Sequence, residues 1–470
     1  MRYAIIDNST LTAVQRLLGD IPIKNKYSID GDILAFESFI QTVLFYDDVF
    51  FVDDYKRQYR NKRQELFKYI YPIELEDENY KLLMNETKKI TNNYVTTIAK
   101  RQFANDNFKE FFEMLRMNIT FTWDLSSSVY YLNYKLLQEH SGVDIGKYSE
   151  LSSMIYDQLM DKTIDYETPK AKIYDSWGRE INSSYTVVNS EGREYETGGM
   201  TKQMQVFLSG LSWLDFRTTF YNLVANQCQF DLVLHPIRNA YSINLLNRLS
   251  GYKSTCINTI IKAMNGIVDK TLNRIISAAQ PITIEKELPM FSVWMADKYE
   301  NIADFIDIVY HLKGEKEFTI CREILSDLDD LYCNNKQADY IRNVNLLIHD
   351  LEKQMKRIED LYGVNPSTFS PVSSLIWTNN VAAEITNLPT LPEIKNRITV
   401  PTSIKKLRRY SGFGATYKSL IDDLVQIQGL GAYHDIITKH VVVDKDSRYF
   451  DIKTEEQRFQ NYKTWFKIPM

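Results

Sequence analysis

Arg342, Asn343 and His349 form the arrangement in this chain with the most direct chemical reading. A separation of seven positions is close to two turns of α-helix, so a helix here sets Arg342 and His349 on one face. An arginine held there can steady a phosphate while the imidazole moves a proton at a neighbouring hydroxyl or leaving group, as metal-independent RNA cleavage requires. The plainer alternative is an amphipathic helix whose Arg342 pairs with an acidic neighbour and whose His349 lies near a packing interface.

A second chemistry resides in carboxylates. Asp7 ends the first apolar run, Glu37 lies in a helical stretch, and Asp53 and Asp54 follow the apolar run 49–52. A carboxylate at the carboxyl end of a parallel strand lies in the crevice where such sheets place ligands. Gathered there, Asp7, Glu37 and Asp53 would offer Mg²⁺ or Mn²⁺ the oxygen ligands a hard cation prefers for phosphodiester hydrolysis. The competing reading makes Asp7 a helix cap and the others solvated or turn residues. A third set, His235 and Arg238, follows the strand-like run 230–234. These two either join an anion-binding pocket or mark a strand-to-helix turn fixed by Pro236.

Two basic patches stand out in an acidic chain. Lys56, Arg57 and Arg60 are interleaved with Tyr55 and Tyr59 and continue to Lys62 and Arg63; Lys405, Lys406, Arg408 and Arg409 form the other. Cations that track phosphate beside rings that stack on bases suit nucleic acid, and solvated helix faces are the alternative. The segment Ser411-Gly412-Phe413-Gly414 with Lys418-Ser419 lacks the Walker spacing, and there is no G-x-S-x-G, H-E-x-x-H or EF-hand pattern.

Arg342-Asn343 followed by His349 resembles the R-x(4–6)-H signature of the HEPN ribonucleases, in which a polar residue after the arginine is usual. The resemblance covers one helix. It implies His349 as general acid/base, Arg342 as phosphate holder, Asn343 as the polar companion, no cofactor, and a site completed by a second chain. The opening strand that ends in Asp7 is similar to the start of PIN-like nucleases over about 55 residues. That resemblance implies Mg²⁺ or Mn²⁺, although further acidic residues at later strand ends cannot be located here.

The elements that must position these residues follow from periodicity. A strand at Tyr3–Ile6, a helix from Asn8 or Ser9 through Leu18, a helix at Asp32–Tyr46 and a strand at 48–53 predict a parallel pair with a helical crossover. Further helices are expected near Asp77–Asn93, Asn105–Met117, Leu125–Glu139 and Tyr148–Met160, and the longest over Gln337–Tyr362, stopped by Gly363. Hairpin-like turns fall near Asp175–Gly178 and Asn189–Gly192. A helix at Thr416–Ile427 and a strand at His440–Val443 are expected near the carboxyl end. The fold class is therefore mainly α with a small α/β amino-terminal unit, a multi-domain helical body and a β-hairpin insertion. The expected divisions are 1–65 (α/β), 66–163 (helical), 164–201 (hairpin-like insertion or loop), 202–363 (helical) and 364–470 (irregular connector, then α+β).

Bulk properties narrow the function classes. A chain of 470 residues exceeds what one core usually supports. With 44% hydrophobic and 25% charged residues it has globular composition. A net charge of -5 argues against coating nucleic acid through bulk charge and leaves local patches. Cys228, Cys256, Cys321 and Cys333 are too widely spaced for a zinc or disulfide framework. No apolar stretch reaches membrane-spanning length, and the chain enters a strand at once without a leader pattern, so a cytoplasmic protein is expected. These readings predict a ribonuclease-type nucleic-acid-processing effector of bacterial anti-phage defence or toxin biology. It would bind RNA rather than DNA and act as a homo-oligomer or with a partner protein. The rival is a non-catalytic binding, scaffold or sensor subunit.

Overall fold

The computed structural model describes residues 1–23, 28–54, 57–73, 77–91, 154–155, 186–188, 194–196, 198–239, 241, 283–334, 339–364, 372–378, 420 and 423–444. Strand β1 (Tyr3–Ile6) leads into helices α1 (Asn8–Leu17) and α2 (Ile29–Phe45), then strand β2 (Asp48–Val52). Helix α3 (Arg57–Leu66), strand β3 (Tyr71–Ile73) and helix α4 (Asp77–Ile90) follow. Strands β4 (Thr186–Val188) and β5 (Glu194–Glu196) pair antiparallel on either side of the turn expected near Asn189–Gly192. Helix α5 (Gly198–Cys228) then runs into strand β6 (Asp231–Val233).

The main sheet has the order β3-β2-β1-β6 and is parallel throughout. Ile5 stands opposite Phe50 on one side and Leu232 on the other. The crossover from β1 to β2 is the one the sequence predicts. The fourth strand comes from residues 231–233 and the third from 71–73, so the sheet reaches past residue 65. Alternation along the strands makes a three-layer unit. Ala4, Ile6, Val49, Phe51 and Val233 face α1 and α2, while Ile5, Val52, Leu232 and Leu234 pack on Leu83 of α4 and on Phe220 and Val224 of α5.

The larger core continues from α2 into a second helical layer. Strand β7 (Thr283–Pro289) precedes helices α6 (Phe291–Lys298), α7 (Phe305–Lys313), α8 (Lys316–Asn334) and α9 (Asp339–Tyr362). Phe36, Phe39 and Phe45 of α2 share one apolar cluster with Phe291, Phe305, Phe318, Leu351 and Ile358. Helix α2 is covered on nearly every side, which is why its apolar residues do not keep to one stripe. Met290 supplies no cap for α6. Its first N–H groups, those of Phe291 and Ser292, donate instead to Glu37 of α2, each at 3.0 Å.

Two expectations change. Strand β8 (Val372–Thr378) pairs antiparallel with β7 inside the stretch read as an irregular connector. The partners are far apart in sequence, so neither carries a turn signal that announces the other. The strand expected at His440–Val443 is a single parallel bridge from Val443 to Ile23, beyond helix α10 (Ala432–Ile437). Among the described residues the pairing is this one bridge, outside the named strands. Helical residues 423–428 overlap the end of the helix expected at Thr416–Ile427 and pass it by one residue. The helices expected near Asn105–Met117 and Leu125–Glu139, most of Tyr148–Met160, and the turn at Asp175–Gly178 lie outside the described residues.

Candidate functional site

The chain steps outward from β1 to β2 and β3 on one side and returns later to place β6 on the other, so the order of the strands reverses between β1 and β6 and their carboxyl ends lie side by side at that point. Asp7 follows β1 directly and is fully buried. Its Oδ1 accepts from the Thr10 N–H at 2.9 Å and the Thr10 hydroxyl at 2.6 Å, capping α1. The cap is therefore Asp7 itself rather than Asn8 or Ser9. The His235 N–H donates to the same oxygen at 3.2 Å, and the Arg238 guanidinium donates to Oδ2 at 3.0 Å. Two sets that are separate in sequence, Asp7 and His235/Arg238, thus meet across adjacent strands.

The turn that carries His235 is built by Pro236. Helical residues begin at 236, where proline loses no hydrogen bond, and the Asn239 N–H closes on the His235 carbonyl at 2.8 Å. His235 Nε2 lies 3.9 Å from Asp32 Oδ1. Asp32, in the first turn of α2, takes the Arg16 Nε–H at 2.8 Å.

A second branch starts at Asn8. Its backbone N–H donates to the Tyr221 hydroxyl at 3.0 Å, and its side-chain amide donates to Asp54. Asp54 receives a bidentate pair from Arg217 at 2.7 and 2.9 Å. Arg217 and Tyr221 lie one helical turn apart on α5, both turned to the sheet's carboxyl edge, and Arg217 also donates to the Tyr221 oxygen at 3.2 Å. Burial, then the charge of Asp54, raises the Tyr221 pKa well above the ordinary phenol range. Arg63 of α3 reaches in from the opposite flank and donates to Asn8, Thr12 and Gln15, successive turns along one side of α1.

Carboxylates and guanidiniums therefore alternate through a buried, connected network. Its outer rim is Asp53 and Asp54, both half-buried. Asp7 is itself the anion at the amino end of α1, Arg238 and Arg217 are matched by Asp7 and Asp54, and the Tyr221 phenol beside them stays protonated.

The expected metal set fits a cation poorly as it stands. Both Asp7 oxygens already accept, Glu37 is turned to the start of α6, and among the described residues no three His, Cys, Asp or Glu side chains converge to hold a metal. Burial raises the Glu37 pKa, against four donated hydrogen bonds that oppose it. Arg342, Asn343 and His349 all lie on α9, and His349 is exposed. Arg57 and Arg60 lie on α3, whereas Lys56 and the patch Lys405, Lys406, Arg408 and Arg409 fall outside the described residues.

The basic run on α3 divides by side: Lys62 is exposed and pairs with Asp20, while Arg63 is buried. Arg16, Asp32, Arg217 and Tyr221 are the site members that sequence reasoning missed, and Arg63 was read as part of a basic patch rather than as a buried partner of α1. One signal was present: Arg217 interrupts an otherwise largely apolar helical run, and an arginine at a core position requires a partner. No family model matches the chain, and no curated protein or solved structure matches it.

Proposed function

We propose that this chain is a ribonuclease-type nucleic-acid-processing protein that handles a phosphodiester at the carboxyl ends of β1 and β6. The observation that carries the reading is the meeting of Asp7, His235 and Arg238 at a switch point, with Arg63, Arg217 and Tyr221 around them. Guanidiniums are the side chains whose donor geometry suits phosphate oxygens. His235, beside Asp32, is the group suited to moving a proton. The route is metal-independent, because the carboxylates at hand are already engaged by N–H donors. RNA is the expected substrate, and a role in bacterial anti-phage or toxin biology, in the cytoplasm, belongs to the same reading, as does a division into several domains. The HEPN-like alternative within this class uses exposed His349 on α9, opposite a second copy of the chain.

One observation favours a non-catalytic scaffold instead: Asp7, Asp32 and Asp54 each bind an arginine, an arrangement that also serves stability alone. Labelled total RNA, incubated with wild type, His235→Ala and His349→Ala, with and without EDTA, separates these readings. Cleavage that resists EDTA and is lost in His235→Ala supports the switch-point site. Loss only in His349→Ala moves the chemistry to α9, loss with EDTA restores the metal route, and no cleavage by any version favours the scaffold.

A further inference from the structure

Residues 432–444, helix α10 and the chain that follows it, bind the α1–α2 connection at both of its ends. At one end the Ile23 N–H donates to the Val442 carbonyl at 2.8 Å, and the Asp444 N–H donates to the Ile23 carbonyl at 2.8 Å. At the other, His434 Nε2 lies 2.9 Å from Asp30 Oδ1 in the first turn of α2. The approach is close, since Gly19 leaves room for the His440 carbonyl oxygen where a Cβ would collide. Two further ties, Tyr433 to Asp297 and His440 to Asn301, each at 3.1 Å, hold the segment to α6 and to the loop after it.

The segment can come away as a unit. It starts after Gly431, which has φ +54° and open space around it, and α10 is only six residues long, too short a helix to stand alone. Ile437 is its one fully buried side chain; Lys439 and His440 are exposed, and Val442 and Val443 are each 47% exposed. A stretch held by a few hydrogen bonds and little buried apolar surface opens at less than the cost of unfolding the domain. What it holds is more deeply set. Ile21 and Ile23 are buried, and the first turn of α2 carries both Asp30, which meets His434, and Asp32, which takes the Arg16 Nε–H at 2.8 Å and lies 3.9 Å from His235 Nε2.

We propose that residues 432–444 form a releasable strap whose closure fixes the first turn of α2, and with it the place of Asp32 beside Arg16 and His235. The strap ties the two ends of the α1–α2 connection to each other through its own length, while the Arg16–Asp32 pair joins the same two helices directly. Opening the strap therefore loosens loop 19–23 and the start of α2 together. Its bearing on chemistry rests on reading the switch point as the site; the strap itself does not.

Hydrogen–deuterium exchange of the full chain, followed by mass spectrometry, tests the strap through two variants that touch it at opposite ends. His434→Ala removes the tie to Asp30, and Asp444→Pro removes the N–H that donates to Ile23 while favouring the extended Val443 before it. Each variant is expected to speed exchange about tenfold, as the loss of one hydrogen bond predicts, in peptides from both 16–23 and 28–36, with β1 and β2 unchanged. Should Asp444→Pro fail to fold, His434→Ala decides alone through exchange at 16–23, the end it does not touch. Effects confined to the end that each variant touches, acceleration spread evenly over the chain, or no change in either variant overturns the strap. RNA cleavage is read separately: coupled exchange without cleavage by wild type sinks the ribonuclease reading but leaves the strap standing, and cleavage with uncoupled exchange does the reverse.

Discussion

Replacing Asp7 by asparagine preserves its shape and removes one charge at the most connected point of the network. Thr10 can still donate to the remaining amide oxygen, so the α1 cap is partly kept. Arg238, however, then faces an amide where it had a carboxylate at 3.0 Å, with side-chain exposures of 1% and 0% for the pair. Removing one partner of a buried ion pair typically costs about 3–5 kcal/mol, because the other charge stays in a low-dielectric interior. Domain stabilities are typically about 5–15 kcal/mol, so the loss should be plain in urea denaturation followed by circular dichroism. The double variant Asp7→Asn/Arg238→Met should recover part of it, since both charges are then gone, and the cycle measures the coupling directly. A single-variant loss below about 1 kcal/mol would refute the claim that this pair is desolvated, as that is the range of exposed pairs.

Other perturbations read other parts of the fold. The buried Glu37 has its pKa raised in the native state, so folding retains a proton that the unfolded chain gives up, and its contribution falls as pH rises through the native value. Relative to Glu37→Gln, wild type should therefore lose stability as pH climbs above the ordinary carboxylate range; denaturation midpoints of both proteins that stay parallel or diverge the other way contradict this. Gly19 has φ +81° and its missing Cβ would lie 2.5 Å from the His440 carbonyl oxygen. Gly19→Ala should cost about 1–3 kcal/mol and speed proteolysis near residue 440, and an unchanged cleavage pattern would argue against the contact. Lys62→Ala should leave the urea midpoint where it is, whereas Arg63→Met, one residue on, should lower it clearly; equal effects would mean that the two sides of α3 are wrongly distinguished.

What the sequence determined by itself is local. The apolar run Tyr3–Ile6 ending in Asp7, the α1–α2 crossover, the strand at 48–52 and the stop at Gly363 all follow from side-chain periodicity, capping and turn chemistry within a few residues. The strand at 231–233 and the turn at Pro236 were legible in the same way. Their placement was not. That β6 lies beside β1, which sets Arg238 and His235 on Asp7, depends on which strands pair, and strand pairing leaves no mark at either partner alone. Glu37 shows the same limit: a carboxylate in a helix reads as a ligand or a solvated group, and only tertiary packing turns it to the uncapped end of α6. Arg63 and Lys62 are chemically alike and adjacent, and what separates them is which side of α3 faces α1. Burial and partner choice are sums over distant contacts, so they were decided only when the chain closed on itself.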